Sequence, residues 1–433
     1  MTSSPRQVIL RGGEASEVNP ESIRRCVDAP GTTENDLRVL HLVAGNLYGG
    51  VEAYLATLAN SPAQRSHLEF EFGVCFPGRL RDELTAAGAI VHNLGAVRLS
   101  RPWTVVQARR NVARLIKERR FNAVAVHGCW PHVIFASGIR KTLAKFVHVL
   151  HDDVSKPGIL DRLASRYPPD LILANSNFTS AGARKLFAGV DVEVCYLPVA
   201  NAAVASDARS AVRSELGVEA NRAIILQAGR LEPWKGHRVL LAALSELREL
   251  GNWECWIAGG PQRPHEAKYL AELKASVETL GLSNRVRFLG QRNDLRRLMA
   301  AVDIFCQPNL SPEPFGIVFI EALYAGLPVV TSNFGGGAEI LADRYGCLVP
   351  PGDVAALADK LRNLVLSPAE RIECARGAVA RAIDLCNPDR HLSNFERIIR
   401  NLTASSPRRA PAAVQFDEVS SAPNSVAGPS ILQ

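Results

Sequence analysis

No apolar run in this 433-residue chain approaches the roughly 18 residues that a bilayer crossing needs. The first thirty residues also lack the hydrophobic core of a secretory signal. Both absences predict a protein that stays in the cytoplasm. There are nine cysteines, an odd number without a C-x2-C spacing, and Cys75, Cys255 and Cys306 fall inside apolar runs. That usage points to reduced, buried thiols and argues against a disulfide framework or a zinc site. Strong charge of either sign is missing too. The formal net charge of +7 is modest for the length and is compatible with phosphate-rich ligands or an anionic surface. No aromatic platform or zinc spacing accompanies the basic residues, so nucleic acid is not an expected partner.

Hydrophobic residues make up 47% and charged residues 21%, the proportions of a globular protein. The length exceeds what one ordinary core serves, so two domains are expected. Apolar, strand-like runs recur at 39–44, 70–76, 89–94, 123–127, 146–151 and 171–174, and again at 223–228, 254–258, 286–289, 304–307, 328–331 and 347–349. Helix-like segments separate most of them, among them Val51 to Leu58, Leu240 to Leu250, and Ala267 to Leu280 ahead of Gly281. Alternating strand and helix predicts parallel sheets covered on both faces. Two such series predict an α/β chain of two doubly wound, Rossmann-like domains facing a central cleft. The expected bounds are 36–200 for the first domain, 201–388 for the second and 389–402 for a terminal helix. Pro198 to Asp207 reads as a linker, and residues 1–35 and 403–433, rich in Ser, Pro, Ala, Gly and Asn, read as disordered tails.

One segment carries a dense positive charge. Arg109, Arg110, Arg114, Lys117, Arg119 and Arg120 crowd a predicted helix between Trp103 and Phe121, with Val105, Val106, Val112 and Ile116 as its apolar stripe. The apolar runs on either side need a crossover helix there. The alternative is that the helix lies on anionic lipid, which would place the protein at the inner face of the membrane.

Two polar clusters carry the chemistry. Gly229 to Gly236 follows the apolar run 223–228 and holds Arg230 and Lys235. Ligands of open parallel sheets bind outside the carboxyl ends of the strands. Arg offers a planar fork and Lys a compact charge there, both suited to a diphosphate. The second cluster is a pair of acids, Glu313 and Glu321. Pro312 and Pro314 hold Glu313 in an extended loop, and helical spacing from Phe315 to Ala325 places Glu321 about two turns inside a mostly buried helix. A carboxylate accepts hydrogen bonds from two hydroxyls at once, as a ribose diol or sugar ring presents them. A buried acid normally has a partner.

The segments Gly229 to Gly236, Glu313 to Glu321, Ala325 to Val330, Gly335 to Glu339 and Leu348 to Asp353 together resemble the donor half of the retaining, two-domain (GT-B) glycosyltransferases of family 4, the glycosyl transferases group 1. The first half is similar more loosely. Gly49 and Gly50 resemble the family's glycine turn near the donor phosphates, although Leu47 and Tyr48 precede them where several members carry a polar residue. His151 with Asp152 resembles the family's His-Asp position near the transferred sugar. The resemblance implies a catalytic set of Arg230, Lys235, Glu313 and His151. It also implies donor contacts from Gly49, Gly50, Gly229, Phe315, Gly316, Glu321, Gly335 and Gly336. His127 is a weaker candidate for the cleft wall.

The activity so implied is retaining transfer of a sugar from a nucleoside-diphosphate sugar to a saccharide or lipid-linked acceptor, in cell-surface polysaccharide or glycoconjugate synthesis. No cofactor is implied. No Asp-x-Asp follows an apolar strand, so no metal ligand is expected, and cationic side chains with helix starts would take the place of Mg²⁺ or Mn²⁺. Two alternatives remain from the residues alone. A sugar-nucleotide epimerase of this architecture would need an acid or histidine placed to take a proton. A non-catalytic nucleotide-binding partner would bind without turnover. The base, the sugar, the acceptor and the oligomeric state are not legible.

Overall fold

The computed structural model describes residues 36–46, 48–61, 67–201 and 203–405. The first sheet contains β1 (Leu37–Val43), β2 (Leu68–Val74), β3 (Ile90–Asn93), β4 (Ala123–His127), β5 (Lys145–Leu150), β6 (Leu171–Ala174) and β7 (Val192–Val194). Its order is β3-β2-β1-β4-β5-β6-β7. The second contains β8 (Ala223–Ala228), β9 (Trp253–Ala258), β10 (Val286–Gly290), β11 (Ile304–Gln307), β12 (Val329–Ser332) and β13 (Cys347–Val349), in the order β10-β9-β8-β11-β12-β13. Both sheets are parallel throughout. This is the GT-B arrangement of two Rossmann-like sheets. Central strands such as β8 and β9 are buried along their whole length, as sheets with helices on both faces require.

Each sheet reverses its strand order once, between β1 and β4 and between β8 and β11. Crevices for ligands open at such switch points, beyond the strands' carboxyl ends. The apolar runs of the sequence map onto twelve of the strands. The exception is β7, a three-residue edge strand with Glu193 at its centre, too short and too charged to stand out as an apolar run. The helix expected from Leu240 to Leu250 instead spans His237–Ser245. Gly236, left-handed at φ 76°, lets it start early.

The two halves share a core. Val43, Tyr54 and Leu55 of the first half cluster with Phe315, Phe319 and Ile320 of the second. In the final helix, Pro388–Ala404, Phe395, Ile398 and Ile399 bury against Leu37, Val39, Ala123 and Val147 of the first sheet. That helix continues through the start of the expected tail, and residues 1–35 and 406–433 lie outside the described residues.

A polar seam adds to this core. The Glu339 carboxylate accepts the backbone N–H groups of Asn177 (3.0 Å) and Phe178 (3.2 Å) and the Tyr196 hydroxyl (2.6 Å). It therefore sits at the positive end of helix Asn177–Leu186. Beside it, the Ser176 hydroxyl donates to the Pro314 carbonyl at 2.6 Å, which ties the Glu313 loop to the first half. Among the described residues no helix is long and apolar enough to cross a membrane.

Candidate functional site

A cleft of about 410 Å³ opens between the carboxyl edges of the two sheets. From the second half it is lined by Gly229, Arg230, Lys235, Glu313, Gly316 and Glu321, and from the first by Tyr48, Gly49, Gly50 and Arg79. The local structure explains how each arrives. After β8 the chain makes one 3-10 turn, Pro233–Lys235, closed by Gly236. A Cβ on Gly236 would stand 1.8 Å from the Pro308 carbonyl oxygen, so only glycine lets this turn dock on the segment after β11. Lys235 is delivered with its ammonium 4.1 Å from the centre of the Trp234 ring and its Nζ donating to Glu313 Oε2 at 2.5 Å. The same oxygen accepts from Asn309 (3.3 Å) and Gln307 (3.4 Å). Three donors hold one carboxylate oxygen, and the other, Oε1, has no hydrogen-bond partner among the described residues.

Gly316, at φ 105°, turns the loop into helix Ile317–Tyr324, and a Cβ there would meet the Phe319 ring at 2.4 Å. The helix thus begins two residues later than the spacing suggested, and Glu321 stands a little over one turn inside it rather than two. Burial pushes the Glu321 carboxyl up to about 7, with Arg296 as the opposing positive charge. Arg230 is half-buried and pairs with Glu232 at 3.0 Å.

Across the cleft, helix Gly50–Asn60 starts at Gly49, whose N–H donates to the Glu52 side chain at 2.9 Å. Burial raises the Glu52 carboxyl above its ordinary value, while Arg230 lowers it. The Arg79 guanidinium lies 3.8 Å from the centre of the Tyr48 ring and donates to Asn293 of the second half at 3.1 Å. The Tyr48 hydroxyl donates to Glu83 at 2.6 Å.

Eight of the twelve expected residues therefore line one cleft: Gly49, Gly50, Gly229, Arg230, Lys235, Glu313, Gly316 and Glu321. Phe315, Gly335, Gly336 and His151 are not among its lining residues. Phe315 is buried at 2% exposure. Gly335 and Gly336 lie beneath the acid loop, where the Gly336 N–H donates to the Glu313 carbonyl at 2.7 Å. A Cβ on either would meet that loop's backbone at 2.7 Å or less. Their close approach shapes the Glu313 loop from below. His151 is buried just beyond β5, its Nε2 2.9 Å from the Nδ1 of His127, which is buried too and is not among the lining residues. Sequence reasoning missed Arg79, Gln262, Gln291 and Arg292, all of which line the cleft. Arg79 follows β2 and Arg292 follows β10, the same strand-then-cation signal that singled out Arg230.

The family model described as glycosyl transferases group 1 matches residues 208–380, and the glycosyltransferase family 4 model matches residues 48–224. A D-inositol 3-phosphate glycosyltransferase of Corynebacterium efficiens is 37% identical over 176 residues, 39% of this chain and 41% of that protein. A phosphatidyl-myo-inositol mannosyltransferase of Mycobacterium leprae is 39% identical over 173 residues, 37% of this chain and 42% of that protein. These matches thus span less than half the length of the curated relatives. Among solved structures, Anabaena HepE in complex with UDP and glucose superposes with a TM-score of 0.75 at 25% identity, covering 84% of this chain and all of that one. The lipopolysaccharide glycosyltransferase WaaG superposes with a TM-score of 0.62 at 20% identity, covering 83% of this chain and 99% of that one, a likeness of fold.

Proposed function

Since this chain belongs to the group 1 glycosyltransferases of GT-B fold, whose two family models together span residues 48–380, we propose that it transfers a sugar from a nucleoside-diphosphate sugar to an acceptor hydroxyl. The observation that carries this reading is the meeting of Arg230, Lys235, Glu313 and Glu321 in one cleft. Two cations there suit a diphosphate and two acids suit hydroxyls. Breaking the bond between the anomeric carbon and the diphosphate leaves negative charge on the departing phosphate, and fixed cations stabilise it as it develops. Arg230 and Lys235 take that role. The start of helix Gly50–Asn60 adds backbone N–H groups. Glu313 holds the sugar hydroxyls and Glu321 the ribose.

In the retaining course, the acceptor oxygen attacks the anomeric carbon from the face that the phosphate leaves. The acceptor's proton passes to the leaving phosphate oxygen, and no protein nucleophile is needed. His151, just beyond β5, is assigned to the sugar or the reacting centre, and protein cations serve where a divalent metal serves in other folds. The UDP and UDP-glucose complexes of Anabaena HepE make uridine the first base to try. Cell-surface glycoconjugate synthesis is the setting. The comparisons favour transfer over epimerisation.

A thermal-melting panel of UDP, GDP, ADP and their sugars tests the reading. A ligand at 100 times its Kd adds about 2.7 kcal/mol, so one nucleotide should stand out. A panel without any response sinks the assignment, and turnover without added acceptor at the same rate as with it returns the epimerase.

A specific surface also supports contact with anionic lipid. On and just before helix Pro102–Arg119, Leu99, Trp103 and Val106 are 47%, 67% and 44% exposed. Arg98, Arg101, Arg110 and Arg114 are exposed around them, and no acid occurs from 84 to 117. Co-sedimentation with phosphatidylglycerol vesicles, lost in Trp103→Glu, checks it.

A further inference from the structure

Three histidines form a diagonal ladder through the core of the first half. His41 on β1 pairs in register with Ala125 of β4, two residues before His127. His127 pairs with Val149 of β5, two residues before His151. Same-face neighbours offset by two across adjacent strands come within reach of long or aromatic side chains, so each step climbs two residues toward the carboxyl edge where the cleft opens. The rings meet edge to edge. His41 Nδ1 is 2.9 Å from His127 Nε2, and His127 Nδ1 is 2.9 Å from His151 Nε2, with successive planes inclined by only 24° and 22°. The foot of the ladder is closed among Phe70, Phe72 and Phe395. The two end nitrogens, His41 Nε2 and His151 Nδ1, are buried without a hydrogen-bond partner.

Burial holds all three rings neutral, pushing His41 and His151 down to about 3 and His127 well below its ordinary value. A neutral imidazole carries one N–H. Three such rings joined by two N–H···N bonds have only two arrangements: all carry the proton on Nδ1, or all carry it on Nε2. In the second, a buried N–H at His41 Nε2 has no acceptor, and orphaned buried N–H groups are rare. In the first, the spare N–H is on His151 Nδ1, equally without a protein partner but beyond the carboxyl end of β5 and next to Asp152, whose carboxyl feels the Arg230 cation of the cleft, so that a ligand can supply the acceptor that the closed foot cannot.

We propose that His41 and His127 are positioning residues that lock His151 in its Nδ1–H form, so that it presents a hydrogen-bond donor to a sugar oxygen in the cleft. The hydrogen bond on one ring nitrogen decides which form the other takes, and here the deciding bond comes from two strands away. The role at the sugar rests on the reading of His151 given above; the lock itself does not.

The test uses the full chain labelled with 15N-histidine, without ligand, because the 15N shift separates a protonated from a bare ring nitrogen. Signals are assigned from His41→Phe, His127→Phe and His151→Gln. Expected are Nδ1–H forms for all three rings, and a move of His151 toward Nε2–H in His127→Phe. A wild-type His151 protonated on Nε2, a differing form among the three, or a His151 signal indifferent to His127→Phe overturns the lock. Turnover of the sugar nucleotide selected by the melting panel gives a second readout. His127→Phe lowers kcat about tenfold with KM held within about twofold, and His127→Gln, whose amide can donate to Nε2, restores most of it. Equal loss in both variants overturns the positioning role. If the 15N pattern holds but His151→Ala turns over normally, the lock stands and the sugar contact falls.

Discussion

The two halves of the molecule face one cleft and equip it differently. The second half supplies charge held by neighbouring groups: Lys235 fixed on Glu313, Arg230 on Glu232, and a half-buried Glu321 near Arg296. The first half supplies a glycine-led helix start, Tyr48 with Arg79, and a wall of neutral imidazoles behind them. Under the proposed function the difference suits the tasks: a departing diphosphate needs fixed countercharge, with Glu313 and Glu321 on the donor's hydroxyls beside it, and the first half adds donors and acceptors whose direction matters more than their charge.

The sharpest way to break this contrast is Lys235→Ala. It removes the cation proposed for the leaving phosphate and strips Glu313 of its closest donor. kcat should fall on the order of 10² to 10³, measured in steady state, and an unchanged rate removes Lys235 from that role.

The glycines of the two halves should also separate. Gly236→Ala forces a Cβ to 1.8 Å from a carbonyl oxygen at φ 76°, so a loss of roughly 3 kcal/mol or more is expected. Gly49 is extended at φ −158°, with its nearest contact 3.7 Å away. Gly49→Ala should therefore stay within about 0.5 kcal/mol. Denaturant titration compares the two, and equal losses contradict the packing described here.

The Glu321 carboxyl has a folded value raised to about 7 from an ordinary 4.5, so the folded state holds its proton more tightly than the unfolded one. Stability is fully present below about 4.5 and is lost as pH rises toward 7, by up to about 3 kcal/mol. Glu321→Gln should flatten that part of the stability profile and weaken UDP binding about tenfold. A melting profile unchanged by the substitution places Glu321 in solvent.

The smallest effect is expected at Arg79, whose side chain is partly exposed. Arg79→Ala removes its bond to Asn293 and should raise the donor KM only a few-fold, as for an exposed pair. A loss comparable to that of Lys235→Ala would erase the contrast between the halves.

Much of this was legible in the residues. Strands buried on both faces write themselves as short apolar runs, so both sheets could be read without a structure, and β7 escaped because an edge strand of three residues need not be apolar. The acids and cations of the second half were legible because each follows a strand or opens a helix within a few residues. Arg79 and Arg292 obeyed the same rule but lay outside the quoted motifs. Gly335 and Gly336 belong to the expected donor contacts; their close approach to the backbone of Pro312 to Phe315 is a contact between segments that no local spacing encodes.

The sequence by itself determined the local things: which residues become strands and helices, where glycine must turn the chain, and which charges stand at strand ends. All of these follow from periodicity and backbone sterics over a few residues. Only the tertiary structure decided that His41, His127 and His151 join, that the Glu339 carboxylate caps a helix of the other half, and that the acids and cations share one cleft. Those pairings depend on strand register and on how the two sheets pack, and both are fixed by burial summed over the whole core.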